Sequence, residues 1–352
     1  MEPQDFLKKM LEIYSPSGKE AELAKFLFQQ MKELGFDAEI DEVGNVIGRI
    51  GKGNPTLLLC GHMDTVEGYL PVQIINGELT GRGAVDAKSS LAALILAAAN
   101  FVGRKIKGSI VVVGTVQEEG TSEGIIHIIN KGLKADYSIF GEPCNTVFIV
   151  VGYKGSLNVE IEVGTEPGHP ANPTVKNANE ELISVWLKIK NELGKYQSKS
   201  KMDSVSVSLG RLNGVENQSM AEVRVRIPFK MSCDEIYEVI NRILQEHKEG
   251  NNGVKCRIRV IDKTEPYESD KRSPLVSALS SSIREVTGEE ARLIKKTGTG
   301  DMNIYGNSIK TAAVTYGPGD PRLDHTEYEK ISLKQFLETV EILTKTIEKL
   351  LL

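Results

Sequence analysis

Cysteine is scarce in this 352-residue chain, and its four copies, Cys60, Cys144, Cys233 and Cys256, are scattered with no C-x-x-C pair. That spacing excludes a disulfide framework and a thiolate zinc site. Basic charge is not in excess either: 43 Lys and Arg against 48 Asp and Glu leave a net charge of −5. A nucleic-acid binder would show the opposite balance. No stretch approaches the roughly 20 apolar residues that span a bilayer. The longest candidate, from Leu91 to Ala99, is short and alanine-rich and reads as a buried helix. The first ten residues lack the basic-then-apolar form of a secretory signal. A cytoplasmic protein with no membrane or nucleic-acid partner is therefore expected. What is present, 40% apolar and 26% charged residues, is the composition of a globular protein long enough for two domains.

Apolar runs and turn residues organise the chain. Over residues 1–151, strands around 37–50 and at 56–60, 109–116 and 136–140 alternate with helices at 88–102 and 122–131. That alternation predicts an α/β domain with a mostly parallel sheet. From 152 to 264 the pattern becomes β at 155–163, α at 174–193, β at 203–209 and 221–228, α at 232–248 and β at 254–262. The βαββαβ order predicts an inserted ferredoxin-like domain with one open sheet face. Past Pro266 the first pattern returns, with helix 273–287, strands 291–295 and 311–316, and a final helix over about 331–350. Residues 1–151 and 265–352 are thus expected to form one catalytic domain around the insertion.

In open parallel sheets ligands bind beyond the carboxyl ends of the strands. The chemistry-bearing residues of this chain cluster there. Strand 56–60 runs into His62 and Asp64, strand 109–116 into Glu118 and Glu119, and strand 136–140 into Glu142. Strand 311–316 leads through Gly317-Pro318-Gly319 to His325, and Asp86 stands just before the helix at 88. So much negative charge on one rim requires cations. Imidazole with carboxylate suits zinc or a neighbouring divalent ion. Two ions sharing a bridging carboxylate need one histidine and one further carboxylate each. The inventory supplies them, with Asp64 and one of the paired glutamates left over. Side chains alternate along an extended chain, so Glu118 and Glu119 face opposite ways, one as ligand and the other as general base. A pair such as His62 and Asp64 suits a ligand and its orienting acid. His127 and His247 fall in helical stretches away from these motifs and read as structural.

His62-Met-Asp64-Thr-Val, Gly81-Arg-Gly-Ala-Val-Asp86-Ala-Lys-Ser, Glu118-Glu119-Gly-Thr-Ser-Glu-Gly, Gly141-Glu142-Pro and Gly317-Pro-Gly followed by His325 resemble the motif series of the M20 metallopeptidase family. The resemblance implies an amide hydrolase with two divalent ions, Zn2+ or Co2+. It implies that Asp86 bridges them, that His62 and Glu142 complete one site, and that Glu119 and His325 complete the other. It also implies that Asp64 orients His62, that Glu118 activates water, and that the Asp86–Ala87 peptide is cis. His169 resembles the family histidine supplied to the oxyanion by a partner subunit's lid domain, which implies a homodimer. Arg226 stands at the place of the substrate-carboxylate arginine, and Asn213 or Asn217 at that of a lid asparagine. Thr299 and Gly300 are expected to line the pocket, while Asp301-Met302-Asn303 replaces the family's Asp-x-Arg.

Within the family, the stretch Gly81–Ser89 and Val151-Gly-Tyr-Lys-Gly-Ser156 resemble one branch. That branch releases lysine or ornithine from the C-terminal glutamate of an amino-group carrier protein in lysine and arginine biosynthesis. Deacetylation of N-acetylornithine or N-acetyllysine, or desuccinylation of succinyl-diaminopimelate, is the alternative. A non-catalytic binding protein is the reading from a different class. Lys188, Lys190, Lys195, Lys199 and Lys201 form a basic run that would steer an acidic carrier.

Overall fold

The computed structural model describes residues 1–168 and 175–352. They divide into two compact units: Met1–Val151 with Ser269–Ile294 and Gly300–Leu352, and Gly152–Glu268 with Lys295–Thr299. The short segment Lys295–Thr299 joins the second unit rather than the first. Its bonds explain why: the Lys296 carbonyl accepts from the Lys154 N–H, and Lys295 pairs with Glu268 at 2.7 Å.

In the first unit the strands lie in the order Asp37–Ile40, Val46–Lys52, Gly108–Thr115, Thr56–His62, Tyr137–Phe140, Ala312–Thr315 and Phe148–Tyr153. The four strands from Gly108–Thr115 to Ala312–Thr315 run parallel, and the flanking pairings are antiparallel. The four parallel strands are those that lead to His62, Glu119, Glu142 and His325. Their carboxyl ends therefore share one edge of the sheet. Thr56–His62 is buried along nearly its whole length, as a central parallel strand covered on both faces should be. The alanine-rich helix Lys88–Ala99 is buried almost all round, which its weak amphipathicity requires. It lies close enough to the strand that a Cβ at Gly61 would meet Leu91 at 3.3 Å. Among the described residues no helix is long and apolar enough to cross a membrane.

The second unit has the βαββαβ order, with antiparallel strands arranged Ser206–Val215, Gln218–Ile227, Gly155–Gly164 and Lys255–Thr264. Leu157, Val159, Ile161 and Val163 alternate onto one face and pack with Leu182, Val185 and Ile189 of helix Ala178–Leu193. Ile236, Ile240 and Ile243 of helix Cys233–Glu249 complete that core. Ser232 and Glu235 start the latter helix with a reciprocal capping box. The intervening strand residues, Glu160, Arg224 and Arg259 among them, carry charge on the other face.

Candidate metal centre and active site

Two histidines and two carboxylates beyond the strand ends, with Asp86 from the loop before helix Lys88–Ala99, form two mirrored half-sites. His62 Nε2 lies 3.1 Å from Asp86 Oδ1 and 3.5 Å from Glu142 Oε1. His325 Nε2 lies 3.0 Å from Asp86 Oδ2 and 2.7 Å from Glu119 Oε1. Asp86 thus presents a different oxygen to each histidine, and each histidine has its own further carboxylate. Among the described residues, His62, Glu118 and Glu142, and also His62, Asp86 and Glu119, bring one donor atom apiece within 4.8 Å of one another. The Asp86–Ala87 peptide is cis.

The proton affinities of these groups report the same electrostatics. Burial opposes a charge on His62, yet Glu142, Asp64 and Asp86 raise it well above the usual imidazole range. The bond from Asp86 lifts His325 to about 9. Burial alone would raise Asp86, but the two histidines hold it below the usual carboxylate range. Burial and Glu142 push Glu118 well up, and burial and Asp86 raise Glu119. A cluster that retains protons in this way favours positive charge at its centre. Its nitrogen and oxygen donors, in two sets sharing Asp86, fit a pair of divalent ions.

The Asp64 carboxylate has partners besides His62. The His62 Nδ1 is 2.8 Å from the Asp64 backbone carbonyl and 3.4 Å from its carboxylate. The strand ends at His62, so simple alternation no longer governs where Asp64 points. Its carboxylate instead accepts the backbone N–H groups of Glu118 and Glu119, each at 3.0 Å, and the Ser17 hydroxyl at 2.6 Å. Burial pushes Asp64 up, but the bonds from His62, Ser17 and Glu119 hold it below the usual range. Asp64 therefore fixes the backbone that carries the paired glutamates.

Two further residues support the cluster: Ser17, which lies outside the motifs, and Lys88, which lies within the Gly81–Ser89 stretch. Ser17 sits in the Ser15-Pro16-Ser17-Gly18 helix break, whose only sequence signal is that interruption. Buried Lys88 donates to the Met10 and Ile13 carbonyls, and burial brings its ammonium down to about 7. Gly300 lies close to the glutamate: a Cβ there would stand 3.2 Å from Glu118 Oε1, a tight contact.

The family profile of peptidase family M20/M25/M40 matches residues 58–349. The chain belongs to this family. A Pyrococcus furiosus protein provisionally named LysW-lysine/LysW-ornithine hydrolase is 40% identical, covering 98% of this chain and 96% of that one. A Sulfurisphaera tokodaii protein with the same name is 32% identical, covering 99% and 96%. A Deinococcus radiodurans LysW-lysine hydrolase is 30% identical, again covering 99% and 96%. Among solved structures, the M20 family metallo-carboxypeptidase Sso-CP2 from Sulfolobus solfataricus superposes with a TM-score of 0.80 at 20% identity, covering 99% of both chains. A Staphylococcus aureus tripeptidase reaches 0.84 at 20% identity, covering 98% and 97%. These structures share the fold.

In this M20 chain the remaining candidates are distributed as follows. Arg226 Nη1 donates to Thr299 Oγ1 at 3.3 Å, which brings those two together within the second unit. Gly300 belongs to the first unit. Asn213 faces Met220 across the hairpin, while Asn217 lies in its turn, where its carbonyl accepts the Thr165 N–H. Asn303 Oδ1 accepts the Gly300 N–H at 3.2 Å, so it caps helix Asp301–Ile309 where the family has arginine. His169 lies outside the described residues. His127 pairs with Glu42, and His247 with Glu181. In the lysine run, Lys188 donates to His247 and Lys195 pairs with Glu192, so both have local partners.

Proposed function

We propose that this chain is a dinuclear metal-dependent amide hydrolase that releases lysine or ornithine from the C-terminal glutamate of an amino-group carrier protein in the cytoplasm. The observation that carries the dinuclear reading is the divided use of Asp86, one oxygen toward His62 and the other toward His325. The names of the near-full-length relatives support the substrate. His62, Asp86 and Glu142 would hold one ion, and Asp86, Glu119 and His325 the other, with Zn2+ or Co2+ matching the donors.

When bound, the ions supply Lewis-acid polarisation of the amide carbonyl and acidify water. Glu118 serves as the general base, taking a proton from the attacking water and returning it to the leaving amine nitrogen. Burial and the neighbouring Glu142 favour its holding that proton between the two transfers. Asp64 keeps Glu118 in place through the Glu118 N–H. Arg226 is assigned to the carboxylate of the released amino acid, for which a guanidinium fork is suited, with Thr299, Gly300 and Asn213 or Asn217 beside the substrate. His169 of the partner subunit is assigned to the oxyanion. The homodimer this requires is supported by exposed Ile183 and Leu187 on one helix and exposed Leu212 and Val215 on the edge strand Ser206–Val215. The exposed lysines of the run over 188–201 would steer an acidic carrier toward the enzyme.

Assaying the Zn2+- or Co2+-loaded protein on carrier-linked lysine, carrier-linked ornithine, N-acetylornithine and succinyl-diaminopimelate tests the reading. Carrier conjugates should be hydrolysed with the highest kcat/KM. Preference for a small N-acyl amino acid would overturn the substrate assignment.

A further inference from the structure

Glu329 is a buried acid bonded to the backbone of one candidate ligand, Asp86, and tied through Arg82 to the segment just after another, His325. Its carboxylate is 1% exposed and accepts four bonds. Oε1 takes the backbone N–H groups of Gly83 at 3.1 Å, Val85 at 2.9 Å and Asp86 at 2.9 Å. Oε2 takes Arg82 Nη1 at 2.9 Å. The loop can wrap the carboxylate because Gly83 has φ of +87°, a conformation open to glycine. A buried carboxylate with fewer donors would be strongly destabilising.

The connection runs to the other half-site as well. Arg82 Nη1 also donates to the carbonyl of Thr326, the residue after His325, and Arg82 Nε donates to the Gly68 carbonyl. Glu329 lies four residues past His325, just before strand Lys330–Ser332, which pairs with Glu78–Thr80 ahead of the Asp86 loop. His325 itself holds φ of +61°, unusual for a residue with a side chain, so its loop needs outside support. One ion pair thus anchors the backbone of the bridging carboxylate and the backbone beside the second histidine.

We propose that Glu329, with Arg82, is a positioning residue that holds Asp86 and His325 in register, so that both half-sites keep one geometry. The proposal rests on the two-metal reading given above. A strut with a purely structural role would affect folding stability alone. A positioning residue must also set metal affinity and turnover. Supporting residues around metal ligands typically contribute 10–100-fold in affinity or activity.

Glu329→Gln keeps the volume and one acceptor oxygen but turns an amide toward Arg82. The experiment is a Zn2+ titration against a competing chelator, with metal content and steady-state kinetics on the same preparations. Weakening of at least one of two sites by 10–100-fold, with kcat reduced and KM little changed, is the expected result. Arg82→Lys, whose single ammonium cannot span Glu329, Thr326 and Gly68 together, should shift affinity in the same direction and serves if the glutamine variant does not fold. A folded Glu329→Gln or Arg82→Lys protein with two sites within twofold of parental affinity overturns the proposal. If the parent binds no divalent ion, the two-metal reading falls with it. If the parent binds two ions but leaves carrier conjugates intact, only the substrate assignment fails, and the titrations still decide the role of Glu329.

Discussion

Asp64→Asn isolates the contribution of a carboxylate that holds the paired glutamates by their backbone. Asparagine has the same shape but only one acceptor oxygen. That oxygen can take the place of Oδ2, which receives both Ser17 Oγ and the Glu119 N–H. The amide nitrogen then faces the Glu118 N–H, now bonded at 3.0 Å, and His62 Nδ1 at 3.4 Å. One charge-assisted bond is replaced by donors facing each other, a loss of about 1.5–3 kcal/mol. At about 1.4 kcal/mol per tenfold, kcat should fall roughly 10–150-fold through misplacement of Glu118. KM should stay close to the parental value, because no assigned substrate contact is touched. Ser17→Ala provides the scale. It removes one bond to the same carboxylate and leaves both backbone N–H groups satisfied, so kcat should drop about fivefold, for roughly 1 kcal/mol. Steady-state kinetics on metal-saturated variants, with metal content measured in parallel, checks both. An Asp64→Asn enzyme within threefold of the parent, or a larger defect in Ser17→Ala, would refute this account of how Glu118 is placed.

Chelation should abolish activity and lower the melting temperature, with both restored by Zn2+ or Co2+, because ions bound to the native state stabilise it by mass action. An unchanged melting curve after exhaustive dialysis against chelator would contradict the metal centre. Acid should weaken the second unit through His247. Lys188 donates to its Nδ1 at 2.9 Å, so the ring is neutral with its proton on Nε2 toward Glu181 at 2.7 Å. Burial lowers its affinity for a proton despite Glu181. The unfolded chain then binds the proton first as pH falls through about 6.5, so stability is full above that value and declines below it. Urea melts at pH 7.5 and 5.5 should show a slope that flattens in His247→Leu, and an identical slope in the variant would count against it. Leu187→Lys should convert a dimer to monomers in size-exclusion chromatography with light scattering, and should lower activity if His169 acts across subunits. A fully active monomer would rule out that assignment.

Much of this site could be read from local sequence because its candidate ligands lie where secondary-structure signals are strongest. Short β-branched runs ending in glycine or acid mark buried strands, and parallel pairing carries His62, Glu119, Glu142 and His325 to one edge. The βαββαβ insertion was legible for the same reason, since alternation with a period of two marks a sheet with one covered face. Helix Asp301–Ile309 was hidden by the glycines before it, and Lys295–Thr299 changes unit because of pairings made far away in sequence. The supports of the cluster were harder still. Ser17 reaches Asp64 across 47 residues, and Arg82 reaches Glu329 across 247. Asp64 and Glu329 also share a property that no side-chain pattern encodes: their carboxylates bind mainly backbone N–H groups, two for Asp64 and three for Glu329. Nearly every residue type offers a backbone N–H, so the residues being held need not look special. Candidate ligands announce themselves by chemistry. The acids that position them become visible only when the loops are closed around them.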